Sequence, residues 1–460
     1  MTAQAANGAG TVQPQRLTIV TPTTAEFHSG TYRIASSATA RGHEVTVIAR
    51  SAPGLARDER HPAGYRILRV RTVAREGWPM PATVRESLRR RALAAGAPGD
   101  IDDARPGDAG VRNAGSPPPD RDPGGPAERA RRAARRVGHD AGRVLEIRAG
   151  FFEAARIAPP ADLVVAYHYL GIGTGLALGR RDEAPVIYYA GDIFLASTAL
   201  RRLPAPIREG IRRYERSAAQ RADSVVTVND GYARELARRL GVPLPLVVLN
   251  CPPRTSPPEV PARRFHEALG LPADTPVVLY HGGFSPERGI EELIAAIPFV
   301  DRAVLVLLGF GPLASRFEAI AADPASGGRV VVMPAVTPAE LLDWVASADV
   351  AAMPILPTTL NHRLTTPNKL WEAISVGVPV VASNLPGMAE IVRAIDAGRL
   401  VDPNDPRSIA AGLVELLDEP PDLRAARRAR LLAAAHDVYN WETQSDRLFT
   451  EFGRLTQRAW

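Results

Sequence analysis

Lysine is all but missing from this chain of 460 residues: of its 56 basic residues, only Lys369 is a lysine. Every other basic position takes arginine, so the exception hints at a place that wants a compact ammonium rather than a planar guanidinium. Cysteine is as scarce. The single Cys251 excludes an internal disulfide framework and fits a reducing compartment, so a cytoplasmic location is expected. No apolar stretch approaches the roughly 20 residues that span a bilayer. The N-terminal segment MTAQAANGAGTVQPQ lacks the basic start and apolar run of a signal peptide, and none is expected. A metal-binding pattern is missing too. The one Asp-x-Asp, Asp100-Ile101-Asp102, lies in a low-complexity stretch and reads as incidental, so neither a metal nor another cofactor is expected.

What is present reads as globular: 45% hydrophobic and 23% charged residues. The length calls for two or three domains. The net charge of +6 suits an anionic partner such as a nucleotide or a membrane surface. Nucleic acid is not expected.

The opening reads strand, loop, helix, strand. Leu17-Thr18-Ile19-Val20 is a short β-branched run, a loop with Gly30 follows, and Val45-Thr46-Val47-Ile48 comes after a helical stretch. This is a βαβ unit, which predicts a parallel sheet with the loop at its carboxyl edge. Further strands are expected at 163–166, 186–189, 224–228 and 246–249. Between them, residues 95–127 are rich in Gly, Pro, Asp and Ala and read as a disordered insert. Two Arg-dense stretches, 86–93 and 127–144, flank it; they read as a charged surface, with anionic membrane or an anionic acceptor as the functional alternative. The Pro-rich run 250–258 marks a hinge. After it come expected strands at 277–280, 304–308, 330–333, 350–354 and 380–382. The predicted organisation is an N-terminal domain over 1–250, a hinge over 251–261, a second domain over 262–421 and a helical segment over 422–460 that packs back towards the first domain. Both domains read as doubly wound α/β units facing across a cleft.

Three segments of the second domain carry chemistry. Tyr280-His281-Gly282-Gly283-Phe284-Ser285-Pro286-Glu287-Arg288-Gly289 runs from a strand into a helix. Its glycines let backbone approach a ligand, and Arg288 adds a positive charge to a helix start, as a phosphate requires. Leu308-Gly309-Phe310-Gly311-Pro312 offers a second glycine loop, either a turn or an opening for a nucleotide. Third is Thr366-Pro367-Asn368-Lys369-Leu370-Trp371-Glu372, with Gly377 downstream. Thr366 suits an N-cap, Pro367 the first helical position and Gly377 the residue past the end, giving a helix of about ten residues. Asn368 and Lys369 fall in its first turn, and Glu372 one turn on along the same face. A cation and free amides can hold a diphosphate there, and the carboxylate can accept both hydroxyls of a ribose. The plain alternative is a surface ion pair between Lys369 and Glu372.

The run PNKLWEAISVGVPVVAS (367–383) resembles the most diagnostic segment of the group-1, family-4 glycosyltransferases of the GT-B fold. Gly282-Gly283 with Arg288-Gly289, Gly309-Phe310-Gly311-Pro312, Ala348-Asp349-Val350 leading into Met353-Pro354, and Ser383-Asn384-Leu385-Pro386-Gly387 match in kind and order. The resemblance is strong over 275–420, moderate over 15–50 and 160–250, and absent over 60–155. It implies two Rossmann-like domains, a nucleotide-diphosphate-sugar donor in the second and an acceptor in the first: a glycan, a lipid-linked species or a small molecule. It also implies retention of anomeric configuration without a metal, and a place in envelope or polysaccharide synthesis, in the cytoplasm or at the inner face of the membrane. His28-Ser29-Gly30-Thr31 matches the family's glycine loop, which places Gly30 opposite the donor phosphates. Strict alignment sets Tyr167 where the family has a histidine near the reacting sugar; the neighbouring His168 is the expected residue. Asp192 falls where the family has a His-Glu pair and is a candidate acceptor contact.

Two departures stand out. Where the family often has a glutamate against the transferred sugar, eight residues before Glu372, this chain has Leu364. Where a basic residue often follows the first glycines, it has Phe284, and Lys369 is expected to supply the missing charge. An epimerase or hydrolase on the same donor site, or a non-catalytic nucleotide-sugar binder, are the competing readings.

Overall fold

The computed structural model describes residues 13–26, 28–52, 54–70, 156–197, 200, 203–257 and 262–460. The insert at 95–127, its Arg-dense flanks and Asp100-Ile101-Asp102 therefore lie outside the described residues.

Among the described residues there are two sheets. The first contains β1 (Arg16–Val20), β2 (Glu44–Arg50), β3 (Asp58–Arg60), β4 (Arg66–Val70), β5 (Leu163–Tyr167), β6 (Val186–Tyr189), β7 (Ser224–Thr227) and β8 (Leu246–Val247), ordered β3-β4-β2-β1-β5-β6-β7-β8. The second contains β9 (Val277–Gly283), β10 (Val304–Phe310), β11 (Val330–Pro334), β12 (Val350–Met353), β13 (Val380–Ser383) and β14 (Gly398–Val401), ordered β11-β10-β9-β12-β13-β14. All ladders are parallel except β3 against β4, so the first sheet is not wholly parallel as expected. β3 was not anticipated: its three residues, Asp-Glu-Arg, carry no apolar signal. β1 and β5 pair through Ile19↔Val165, and β9 and β12 through Leu279↔Ala351. Strand order reverses at β1/β5 and at β9/β12, and in such sheets ligands bind off the carboxyl ends at the reversal.

The helices that matter for the site are α1 (Ser29–Ala40), α2 (His168–Asp182), α3 (Leu360–Leu364), α4 (Asn368–Ser375), α5 (Pro421–Asp437) and α6 (Trp441–Thr456). α4 differs from the expected helix at its start. Pro367, in extended conformation, is the N-cap, and the helix has eight residues. Thr366 does not cap it; its hydroxyl accepts from Asn229 Nδ2 at 3.2 Å. The end is as expected, with Gly377 left-handed at φ 74°. Leu370, Trp371 and Ile374 are buried in the core between the second sheet and α5; each is worth about 1.5–3 kcal/mol of burial.

The chain crosses between the domains twice. Val248 belongs to the first core and Cys251 to the second. Tyr439 packs against the second core, whereas Trp441, two residues later, lies in the first. The crossings are tied together: Trp441 N–H donates to the Pro252 carbonyl at 2.8 Å, and Leu249 N–H to Gln444 Oε1 at 3.1 Å. The C-terminal segment is accordingly divided. Leu431 and Ala435 of α5 sit in the second core, while Leu448, Phe449 and Phe452 of α6 sit in the first.

Candidate functional site

Several of the singled-out side chains converge where β9 and α4 face α1. Lys369 lies in the first turn of α4 with its Nζ 3.5 Å from the centre of the Tyr280 ring. Burial and the nearby Arg288 push its pKa down to about 7, against a weaker upward pull from Glu372. Gly282 lies beside the ammonium at φ 109°, a backbone conformation that favours glycine, and a Cβ there would stand in ordinary contact with Nζ at 3.9 Å. Glu372, one turn along, accepts or shares a proton with His281 Nε2 at 2.9 Å through Oε2. Burial would raise the pKa of this carboxyl, but His281, Arg33 and Lys369 together bring it below the ordinary value.

Across from α4, the start of α1 meets it directly. Asn250 Nδ2 donates to Asn368 Oδ1 at 2.7 Å and to Ser29 Oγ at 3.0 Å, and Asn368 Nδ2 reaches Ser29 Oγ at 3.3 Å. Arg33, one turn into α1, donates to the carbonyl and the side-chain oxygen of Asn250. Two helix N-termini and two cations thus face one another with a single carboxylate, Glu372, among them. That arrangement favours an anion. His28 caps α1, its Nδ1 accepting from Thr31 N–H at 3.1 Å, and burial pulls its pKa down to about 4. Gly30 follows; a Cβ there would come to 3.1 Å from the Tyr167 hydroxyl.

The glycines divide into two kinds. Gly283 is exposed and open, with nothing within 4 Å of a Cβ position. Gly309 and Gly311 are instead filled by the protein itself: a Cβ on Gly309 would overlap the Gly282 carbonyl, and one on Gly311 would stand 2.5 Å from the Phe284 carbonyl oxygen. The close approach these two permit is of chain to chain, at strand ends that run on through the glycines. Gly309→Ala is therefore expected to cost about 1–3 kcal/mol or more of stability, measurable by urea unfolding; a wild-type midpoint would contradict this packing. Phe284 corrects the sequence reading. Its side chain is fully buried and packs edge-on to Phe317, so no basic residue at 284 could reach the cleft. The open neighbouring position is Gly283.

On the first-domain side, His168 begins α2 at the end of β5, its Nδ1 accepting from Leu170 N–H at 3.2 Å and its ring against Phe194. Burial and His28 hold it well below the usual imidazole range. Asp192 follows β6 and accepts from Asn361 Nδ2 at 3.0 Å; burial raises its pKa, countered by Asn361 and the charge of Arg288. Arg288 thus lies within electrostatic range of both Asp192 and Lys369. The sequence reading missed His281, Arg33, Asn250, Asn361 and Asn229. His281 was quoted within its motif, and its position one residue before Gly282 was the only local signal. Among the described residues no group of three or more His, Cys, Asp or Glu is placed to hold a metal ion, and no helix is long and apolar enough to cross a membrane.

The chain is similar to known proteins in sequence and in fold. Residues 275–419 match the family described as glycosyl transferases group 1, and residues 28–253 match the glycosyl transferase 4-like domain. Over 320 residues the chain is 29% identical to D-inositol 3-phosphate glycosyltransferase of Xylanimonas cellulosilytica, covering 66% of this chain and 75% of that one. It is 30% identical to the protein of the same name from Kineococcus radiotolerans, over 58% and 67% of the two chains. It is 32% identical over 42% of its length to the GDP-mannose-dependent alpha-(1-6)-phosphatidylinositol monomannoside mannosyltransferase of Mycolicibacterium smegmatis, 51% of which is covered. Among solved structures, sucrose-phosphate synthase from Thermosynechococcus elongatus superposes with a TM-score of 0.68 at 17% identity, over 96% of this chain and 99% of that one. Anabaena HepE, solved with UDP and glucose, gives 0.60 at 15% identity, over 96% and 100%. The chain belongs to the group-1, family-4-like glycosyltransferases, has their GT-B fold, and is an enzyme of glycosyl transfer.

Proposed function

We propose that this enzyme takes a nucleotide-diphosphate-sugar at the second domain and passes the sugar, with retention and without a metal, to an acceptor held against the first. The observation that carries the reading is the convergence of Lys369, Arg288, Glu372 and the starts of α1 and α4 on one stretch of the cleft. Glu372, steadied by His281, accepts the ribose hydroxyls. Lys369, Arg288 and the first-turn amides of α4, including that of Asn368, stabilise the negative charge that grows on the departing diphosphate. Gly282 and Gly283 keep the approach open, while Gly309 and Gly311 pack the strand ends that form its floor. Gly30 and the start of α1 face the phosphates from the other side, and His168 and Asp192 line the first-domain wall, so sugar and acceptor meet in a fixed orientation.

Several relatives are named for D-inositol 3-phosphate, and one for GDP-mannose and a phosphatidylinositol mannoside. Those names, with the net charge of +6, favour an acceptor built on a phosphorylated polyol. They also favour a place in envelope glycan assembly, in the cytoplasm or against its membrane. The test is a thermal-shift screen of UDP-, GDP- and ADP-sugars, because a ligand of the native state raises its melting temperature. It is followed by transfer to D-inositol 3-phosphate in the presence of EDTA, with the product anomer read by NMR. One nucleotide class should stabilise the protein and transfer should persist in EDTA. No stabilisation by any nucleotide would overturn the reading.

A further inference from the structure

Leu364 stands where a carboxylate often meets the transferred sugar, and the structure has no polar side chain at that place. Its side chain turns to the first domain, with Cδ2 3.3 Å from where a Cβ of Gly231 would be, and its carbonyl accepts from Asn229 Nδ2 at 3.0 Å. Three residues earlier on α3, however, Asn361 spans the domain boundary. Its Oδ1 accepts from Ile193 N–H at 3.0 Å and its Nδ2 donates to Asp192 Oδ1 at 3.0 Å. The α3 backbone is fastened at the same point, since the Tyr232 hydroxyl donates to the Asn361 carbonyl at 3.1 Å. Both ends of the Asn361 amide are committed, which fixes its orientation and that of the carboxylate it holds. Asp192 keeps one oxygen, Oδ2, without a hydrogen bond among the described residues.

The charged neighbours of Asp192 connect it to Glu372. Glu372 is within electrostatic range of Lys369, Lys369 of Arg288, and Arg288 of Asp192. These contacts link two carboxylates through a pair of cations, and a nucleotide-diphosphate-sugar offers hydroxyl groups at both ends of a diphosphate. A carboxyl group with one oxygen anchored and the other free is suited to accept from hydroxyl groups.

We propose that Asp192, positioned by Asn361, is the carboxylate that grips the hydroxyls of the transferred sugar, supplied from across the cleft in place of one at position 364. The proposal rests on the donor reading above. In it Asp192 contacts substrate and Asn361 is a positioning residue.

Calorimetric titration of the full chain separates the two readings. The probes are UDP, GDP and the corresponding UDP- and GDP-hexoses, applied to wild type, Asp192→Asn and Asn361→Ala. Both variants should bind the free nucleoside diphosphate as wild type does. Their affinity for the nucleotide-sugar, taken relative to its own nucleoside diphosphate, should fall about ten-fold or more. A merely structural role for Asn361 would weaken both ligands together. An unchanged ratio in both variants overturns the proposal, as does an unchanged ratio with a raised KM for D-inositol 3-phosphate, which would assign Asp192 to the acceptor. Wild type that binds neither nucleoside diphosphate would sink the donor reading first, and this one with it.

Discussion

Lys369→Met is expected to lower kcat/KM at least about 100-fold and, at the same time, to raise the melting temperature at neutral pH. The two effects share a cause. The ammonium sits over the Tyr280 ring, largely out of water, with Arg288 nearby, and its pKa falls from 10.5 to about 7. Between those values the unfolded chain binds a proton that the folded chain does not. Stability contributed by this group therefore rises with pH from about 7 to 10.5 and is low at neutral pH. Methionine has a similar reach and no charge to desolvate, so it removes that cost and flattens the slope. It also removes the cation proposed to meet the diphosphate. Melting temperatures of wild type and variant at pH 7 and pH 10, beside initial rates, test both halves. If the variant keeps the wild-type dependence of stability on pH, Lys369 is not the titrating group.

Glu372→Ala should weaken donor binding about 10- to 100-fold, the scale of hydrogen bonds to a charged group, and should do so for the free nucleoside diphosphate as well as the nucleotide-sugar. The carboxylate is 14% exposed and holds His281 Nε2, itself 4% exposed. Removing it leaves the imidazole without its partner and the Arg33 guanidinium without a nearby counter-charge. Glu372→Gln keeps the shape and an acceptor oxygen but loses the charge, so its loss should be smaller. Equal affinities for both variants and wild type in a calorimetric titration with UDP and GDP would remove Glu372 from the donor site. Together with Asp192→Asn, which should spare the nucleoside diphosphate, the pair divides the donor into two separately measurable ends.

The parallel sheets were legible because their strands are continuous apolar runs: Val277–Leu279 and Val304–Leu308 have no other plausible fate. So were Lys369 and Glu372, whose helical spacing places them on one face before any fold is known. The edge strand β3 was not legible, since three charged residues pair only because β4 offers an edge. Phe284 was misread for a geometric reason. Side chains alternate at a strand end, so the residue beside the expected one, Gly283, is the outward position. The distant partners were beyond reach for another reason: Asn361 meets Asp192 across 169 residues and His281 meets Glu372 across 91. Such pairs leave no periodicity in the chain, because each asparagine or histidine sits in a locally ordinary context and gains its meaning only from a residue far along the sequence, in the other domain for Asn361 and on another element of the same domain for His281.

The double crossing between the domains has a mechanical consequence. A single connecting strand would let one domain swivel as well as bend against the other. Two strands pinned side by side, through Trp441 to Pro252 and Leu249 to Gln444, define a line, and rotation about that line is the freedom that survives. An opening about that line would part Ser29 from Asn368 and Asp192 from Asn361 in the same stroke.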